Sequence, residues 1–273
     1  MGFGYATLTY DPEEIVRNGI GDLAACGYDG VEIGLPKIQE ICRDRLEATL
    51  DEYGMELYCV MAGWLNEHTD VQDAVDGLEI AAAFDVDFLG ILPPPRCVVD
   101  DSIFGEWLDE IGTAASDRGV TPVVHHHAGS HIEQPAEIRR WLDDGPSELK
   151  LLLDTGHYYA YGDVCDGIER FADDTVYVHY KDISPPSNFD THVTNLSAGK
   201  VDYDSIMTYF GAFTDLGKGV LDFAAISRAL DAVNYDGNRT VEVDTVQGPT
   251  LAHAKRNLDF LREAVGDGDG YES

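Results

Sequence analysis

Short apolar runs alternate with longer amphipathic stretches along this chain, the sequence form of repeated strand and helix units. The first run, Phe3 to Tyr10, predicts a strand. Behind it, Asp11-Pro12-Glu13-Glu14 offers an N-cap, a proline at the first helical position and acids in the first turn, so a helix follows to about Cys26 and stops at Gly27. The same alternation predicts strands at Gly30 to Gly34, Glu56 to Trp64, Phe88 to Leu92 and from Thr121, then at Leu149 to Asp154, Val176 to Lys181 and Thr240 to Asp244. Helices are expected over Ile38 to Tyr53, Val71 to Phe84, Ile103 to Arg118, Pro135 to Trp141, Asp166 to Phe171, Asp222 to Val233 and Leu251 to Val265. One stretch breaks the rhythm. Asp182 to Leu221 reads as a long active-site insertion with a helix near Asp204 to Phe210.

About eight such alternations in one chain predict an α/β fold, a (β/α)8 TIM barrel forming a single domain over residues 1–265, with the insertion after strand seven. The doubly wound open sheet is the alternative, and it is disfavoured because no GxGxxG follows the first strand. The acidic tail at 266–273, GDGDGYES, reads as disordered.

Three consecutive histidines end the fifth apolar run, in TPVVHHHAGSHIE from Thr121 to Glu133. Side chains alternate along a strand, so His125 and His127 point one way and His126 the other. In a barrel the carboxyl ends of the strands converge on one face, where chemistry occurs. The polar residues ending the last four strands are His127, Asp154, His179 and Glu242. Two imidazoles and two carboxylates together suit one divalent metal, with nitrogen donors favouring Mn, Co, Fe or Zn over Mg. Glu32 and Trp64, ending strands two and three, would line the substrate pocket with a polar and an apolar wall, and Arg96 is a weak candidate for anion binding.

Acidic residues number 51 against 18 basic ones, a formal net charge of -33 spread over the whole chain. That excess is expected of a halophilic protein whose carboxylates are screened by salt, and it disfavours nucleic acid and anionic membrane as partners. The five cysteines include no CxxC pair, and no leader or long apolar segment stands in the sequence, so a reducing, cytoplasmic setting is expected. The sequons at Asn195 and Asn238 then carry no meaning.

HHHAGSHIE, LLLDTGHYYAYGD, VHYKD and VEVD together resemble the xylose isomerase-like barrel superfamily of sugar isomerases and epimerases. The similarity is strongest to its inosose (2-keto-myo-inositol) dehydratase branch, which also closes its insertion with an FxxxGxGxxDF pattern, here Phe213 to Phe223. The resemblance implies a metal held by His127, Asp154, His179 and Glu242, with His157, Glu133 and Lys181 facing a sugar or cyclitol substrate, and His125 beside them. It further implies an enediolate mechanism in which Glu133 or Glu242 is the base and His157 or Lys181 the proton donor. Isomerases and epimerases of this kind usually offer a glutamate on the fifth strand. A histidine there favours lyase chemistry over a two-carboxylate epimerase. The alternatives are a sugar or sugar-phosphate isomerase or epimerase, and a non-catalytic metal-bearing sugar-binding barrel. An endonuclease IV-like nuclease is disfavoured by the charge. Dimer contacts through the insertion are a further expectation.

Overall fold

A computed structural model describes residues 2–244 and 248–265. The strands are β1 (Phe3–Ala6), β2 (Gly30–Gly34), β3 (Glu56–Trp64), β4 (Phe88–Leu92), β5 (Thr121–His125), β6 (Lys150–Asp154), β7 (Thr175–Tyr180), β8 (Asp182–Ile183), β9 (Phe213–Thr214) and β10 (Arg239–Val241). Eight of them close a parallel barrel in the order β1-β10-β7-β6-β5-β4-β3-β2, while β8 and β9 form a separate antiparallel pair in the insertion. The predicted tail at 266–273 lies outside the described residues. Among the described residues, no helix is long and apolar enough to cross a membrane.

Several elements differ from the sequence expectation for local reasons. The first strand ends at Ala6, where Thr7 turns back to bond the Glu32 carbonyl through its amide and hydroxyl. The expected second helix is two, Leu35–Glu40 and Arg43–Tyr53, broken at Ile41, whose backbone is extended. Phe189–Ser197 is a helix that the pattern did not reveal, and Thr155–Tyr159 is a short one directly after β6.

The main core lies between the barrel and its ring of helices, built from residues such as Ile33, Leu78, Phe104, Leu153, Val178 and Phe223. Inside the barrel sits an apolar plug of Tyr58, Cys59, Met61, Val123, Leu152 and Tyr177. This plug decides where the chemistry goes. Two residues further along the same strands come His125, Asp154 and His179, and on the neighbouring β10 Thr240, whose hydroxyl meets Tyr177 at 2.6 Å, is followed two residues later by Glu242. Period-two alternation therefore stacks a polar layer on an apolar one at the carboxyl end of the barrel.

The insertion covers that end and has an apolar cluster of its own. Phe189, Val193 and Leu196, spaced along one helical face, pack with Tyr209, Phe213, Ile183 and Ala128. Its closing loop is fixed by Asp182, whose buried carboxylate accepts from the backbone amides of Ile183, Gly217, Gly219 and Leu221 at 2.8–3.2 Å. A Cβ on Gly219 would stand 2.2 Å from Asp182 Oδ1, and Gly217 has a φ of +78°, so both glycines of the GxG pattern are required. Asp222 then caps helix Phe223–Ala232 through the Ala225 amide.

Candidate metal centre and active site

His125, Asp154, His179 and Glu242 are buried, and one donor atom from each lies within 4.8 Å of the others. His179 lies 2.8 Å from Glu242 Oε2 through Nδ1 and 2.8 Å from Glu32 Oε2 through Nε2. Both ring nitrogens thus face carboxylates. Burial opposes charge on this imidazole, but Glu32 and Glu242 outweigh it and raise its pKa well above the ordinary value. The two carboxylates thus favour the charged form of His179 in the metal-free protein.

Lys181 supplies the second cation. Its Nζ lies 3.0 Å from Glu242 Oε2, 3.1 Å from Asp244 Oδ2, 3.6 Å from Asp154 Oδ2 and 3.1 Å from His157 Nε2. Burial would lower its pKa, but Asp154, Asp244 and Glu242 overcome this and raise it. The carboxylates respond in kind: against the cost of burial, Lys181 holds both Asp154 and Glu242 below the ordinary range, helped at Glu242 by His179.

The donor set fits a divalent transition metal. It combines two imidazoles with two ionised carboxylates, is buried, and leaves His125 Nδ1 with no hydrogen-bond partner among the described residues. Glu32 stands behind His179 as an orienting carboxylate. Asp154 also accepts from the His157 amide at 2.7 Å, which fixes the carboxylate at the start of helix Thr155–Tyr159.

At four residues the side chains are placed differently from the sequence expectation. His127 is not in the donor set, and His125 takes that place. Strand β5 ends at His125, and the chain then turns, with the His127 amide bonding Ile132 O and the His127 carbonyl accepting from the Ser130 amide and hydroxyl. Alternation no longer governs His127 there. Its ring packs at 4.8 Å against Trp64 and 4.2 Å against His157, and burial pushes its pKa down to about 3. Glu133 is fully buried with its oxygens engaged by Arg96, the Gly129 amide and the Tyr161 hydroxyl, contacts that join the loops at the mouth. Arg96, expected as a weak anion site, is consumed by Glu133 and Glu137. Glu32 faces His179 rather than an open pocket.

The remaining residues fall at the mouth of the barrel. Trp64 ends β3, half-buried against His127, and His157 and Lys181 stand beside the donor cluster. Lys181 does not pair with Asp182, whose carboxylate is spent on backbone amides. Two residues were missed. Asp244 lies two positions beyond Glu242, where alternation places it on the same face, and it holds Lys181. Tyr209, on helix Tyr203–Phe210 of the insertion, reaches His157 Nδ1 through its hydroxyl at 2.6 Å, and nothing in the sequence pattern marks it.

A profile of the family described as xylose isomerase-like TIM barrel matches residues 20–264. The chain is 25% identical over 279 residues to an inosose dehydratase of Histophilus somni, covering 90% of this chain and 89% of that one. Among solved structures, the 3-keto-D-glucoside 4-epimerase of E. coli superposes with a TM-score of 0.73 at 16% identity, covering 96% of this chain and 99% of the epimerase. The IolI protein with a bound zinc atom gives a TM-score of 0.73 at 14% identity, covering 97% and 98%. At these identities the two structures speak for the fold.

Proposed function

The chain belongs to the xylose isomerase-like TIM barrel family, and from that premise we propose that it is a divalent-metal-dependent carbon-oxygen lyase of the inosose dehydratase kind, acting on a small polyhydroxy ketone. The observation that carries the proposal is the buried convergence of His125, Asp154, His179 and Glu242 beside the Lys181 ammonium. Similarity to an inosose dehydratase over 90% of the chain supports the choice of substrate. The histidine from the fifth strand in the donor set, His125 rather than His127, supports lyase over two-carboxylate epimerase chemistry.

A divalent ion held by these four residues, Mn, Co, Fe or Zn rather than Mg, supplies Lewis acidity that makes the carbon beside a substrate carbonyl acidic. Glu242 is the base: with Glu133 engaged elsewhere, it is the remaining candidate carboxylate, held ionised by Lys181 and His179. Lys181 is the acid. Its ammonium gives a proton to the departing β-hydroxyl, which leaves as water as the carbon-oxygen bond breaks. Glu242 Oε2 and Lys181 Nζ are 3.0 Å apart, so the proton taken from carbon returns to the lysine directly and the pair is restored. Substrate loses one hydrogen and one hydroxyl, and the protein ends as it began. His157 is not the acid in this scheme. Burial and the adjacent Lys181 charge hold its pKa well below the ordinary value, and its Nε2 accepts from Lys181. Trp64 offers an apolar wall to the face of the ring.

The test is to incubate the Mn and Zn forms with 2-keto-myo-inositol and with ketohexoses, measuring loss of water and change of configuration separately. Dehydration of the cyclitol supports the lyase. Epimerisation of a ketohexose with no dehydration refutes it in favour of the isomerase and epimerase branch.

A further inference from the structure

Tyr209 lies outside the barrel strands, yet its hydroxyl touches the imidazole that touches Lys181. The phenol is fully buried, its ring stacked on Phe189 at 5.7 Å between centroids and an interplanar angle of 13°, and packed edge-on against Phe213 at 5.3 Å. Both neighbours belong to the apolar cluster of the insertion, so the position of Tyr209 reports how that insertion sits on the barrel.

The hydrogen-bond inventory fixes the direction of each bond. An ammonium donates and has no acceptor, so His157 Nε2, 3.1 Å from Lys181 Nζ, must present its lone pair. A neutral imidazole then carries its single proton on Nδ1, which donates to Tyr209 Oη at 2.6 Å. The phenol keeps its own proton. If no acceptor stood at Nδ1, the ring would lose its reason to prefer that tautomer, and a proton on Nε2 would confront the ammonium.

We infer that Tyr209 is a positioning residue: by accepting the Nδ1 proton it holds His157 in the tautomer whose Nε2 steadies Lys181, and so gives the insertion a part in placing the acid. This rests on the proposed role of Lys181, and it gives the insertion a function beyond covering the site. It also accounts for a buried histidine that takes no proton itself.

The test uses the full chain labelled with 15N-histidine, with Tyr209→Phe and Phe189→Leu as variants and His157→Gln to identify the His157 signals. In the metal-free wild-type protein, long-range proton-nitrogen spectra are expected to show His157 protonated at Nδ1 and bare at Nε2. Tyr209→Phe should give a mixture of tautomers, with kcat on 2-keto-myo-inositol down about tenfold, the value of one hydrogen bond of about 1.4 kcal/mol, and KM changed by less than about twofold. Phe189→Leu, which keeps the hydroxyl, should preserve the tautomer. An unchanged tautomer and kcat in Tyr209→Phe, or an equal disturbance in Phe189→Leu, would overturn the inference. Failure of the wild-type protein to dehydrate the cyclitol would instead strike the proposed function and leave the tautomer result standing.

Discussion

Replacing Glu32 with Gln isolates the part that an outer carboxylate would play in the candidate metal centre. Glu32 is 2% exposed and His179 fully buried, and their 2.8 Å contact is the one hydrogen bond of His179 that faces away from the other donors. A buried hydrogen bond to a charged group contributes about 1.5–3 kcal/mol. Glutamine is neutral and gives up most of that charge-assisted contact, so the loss falls near 1.4–2.7 kcal/mol, or about 10–100-fold in metal affinity, the effect typical of outer-sphere partners. The variant should bind zinc about 10–100-fold more weakly in competition with a chelator of known affinity. Its far-ultraviolet spectrum and size in solution should match the wild type, so that weakened binding is not mistaken for unfolding. Zinc affinity within twofold of wild type would refute the reasoning, because His179 would then be held without Glu32.

Other consequences separate residues that the sequence alone could not. His125→Ala should lower metal affinity by more than the outer-sphere effect of about 10–100-fold, while His127→Ala leaves it within about threefold, both read by the same competition. Lys181→Met should cut turnover by at least about 100-fold with metal content retained, and normal turnover would remove Lys181 from the mechanism. The metal-free protein should show a stability optimum in its melting temperature against pH. Glu242 is depressed below its ordinary 4.5, so its contribution is complete above that pH and is lost as pH falls through the folded value. His179 is raised above its ordinary 6.5, so its contribution is complete below that pH and is lost as pH rises through the folded value. Both are complete only between pH 4.5 and 6.5, and a curve flat across these limits would contradict the paired assignment. With a net charge of -33, raising potassium chloride from low to molar concentration should raise the melting temperature, by roughly 2–4 °C for each kcal/mol of repulsion relieved; a fall would contradict it.

Much of the barrel was legible in the sequence because its buried strands are short apolar runs between punctuating residues. Gly30–Gly34, Glu56–Trp64 and Phe88–Leu92 come out with the bounds that the pattern predicts. Asp154, His179 and Glu242 could be found because each interrupts an apolar run one step above the barrel plug. His125 against His127 could not be settled, since a period of two puts both on one face and only the hydrogen bonds to Ile132 and Ser130 show where the period stops. Glu133 misled for a similar reason: its partners, Arg96 and Tyr161, come from distant loops. Asp244 was within reach of the alternation in VEVD. Tyr209 was not, because its helix reads as an ordinary amphipathic segment and its hydroxyl finds His157 only through the tertiary placement of the insertion.

On the proposed function, His125, Asp154, His179 and Glu242 would hold a divalent metal whose Lewis acidity would let a polyhydroxy ketone lose a carbon-bound proton and then water. Nuclear magnetic resonance of 2-keto-myo-inositol in D2O, with metal-free and metal-loaded protein side by side, tests it most directly. The signal beside the carbonyl should disappear and the dehydrated product accumulate only with the loaded protein. Equal rates with the metal-free protein, or a loaded protein that leaves every signal intact, would contradict it.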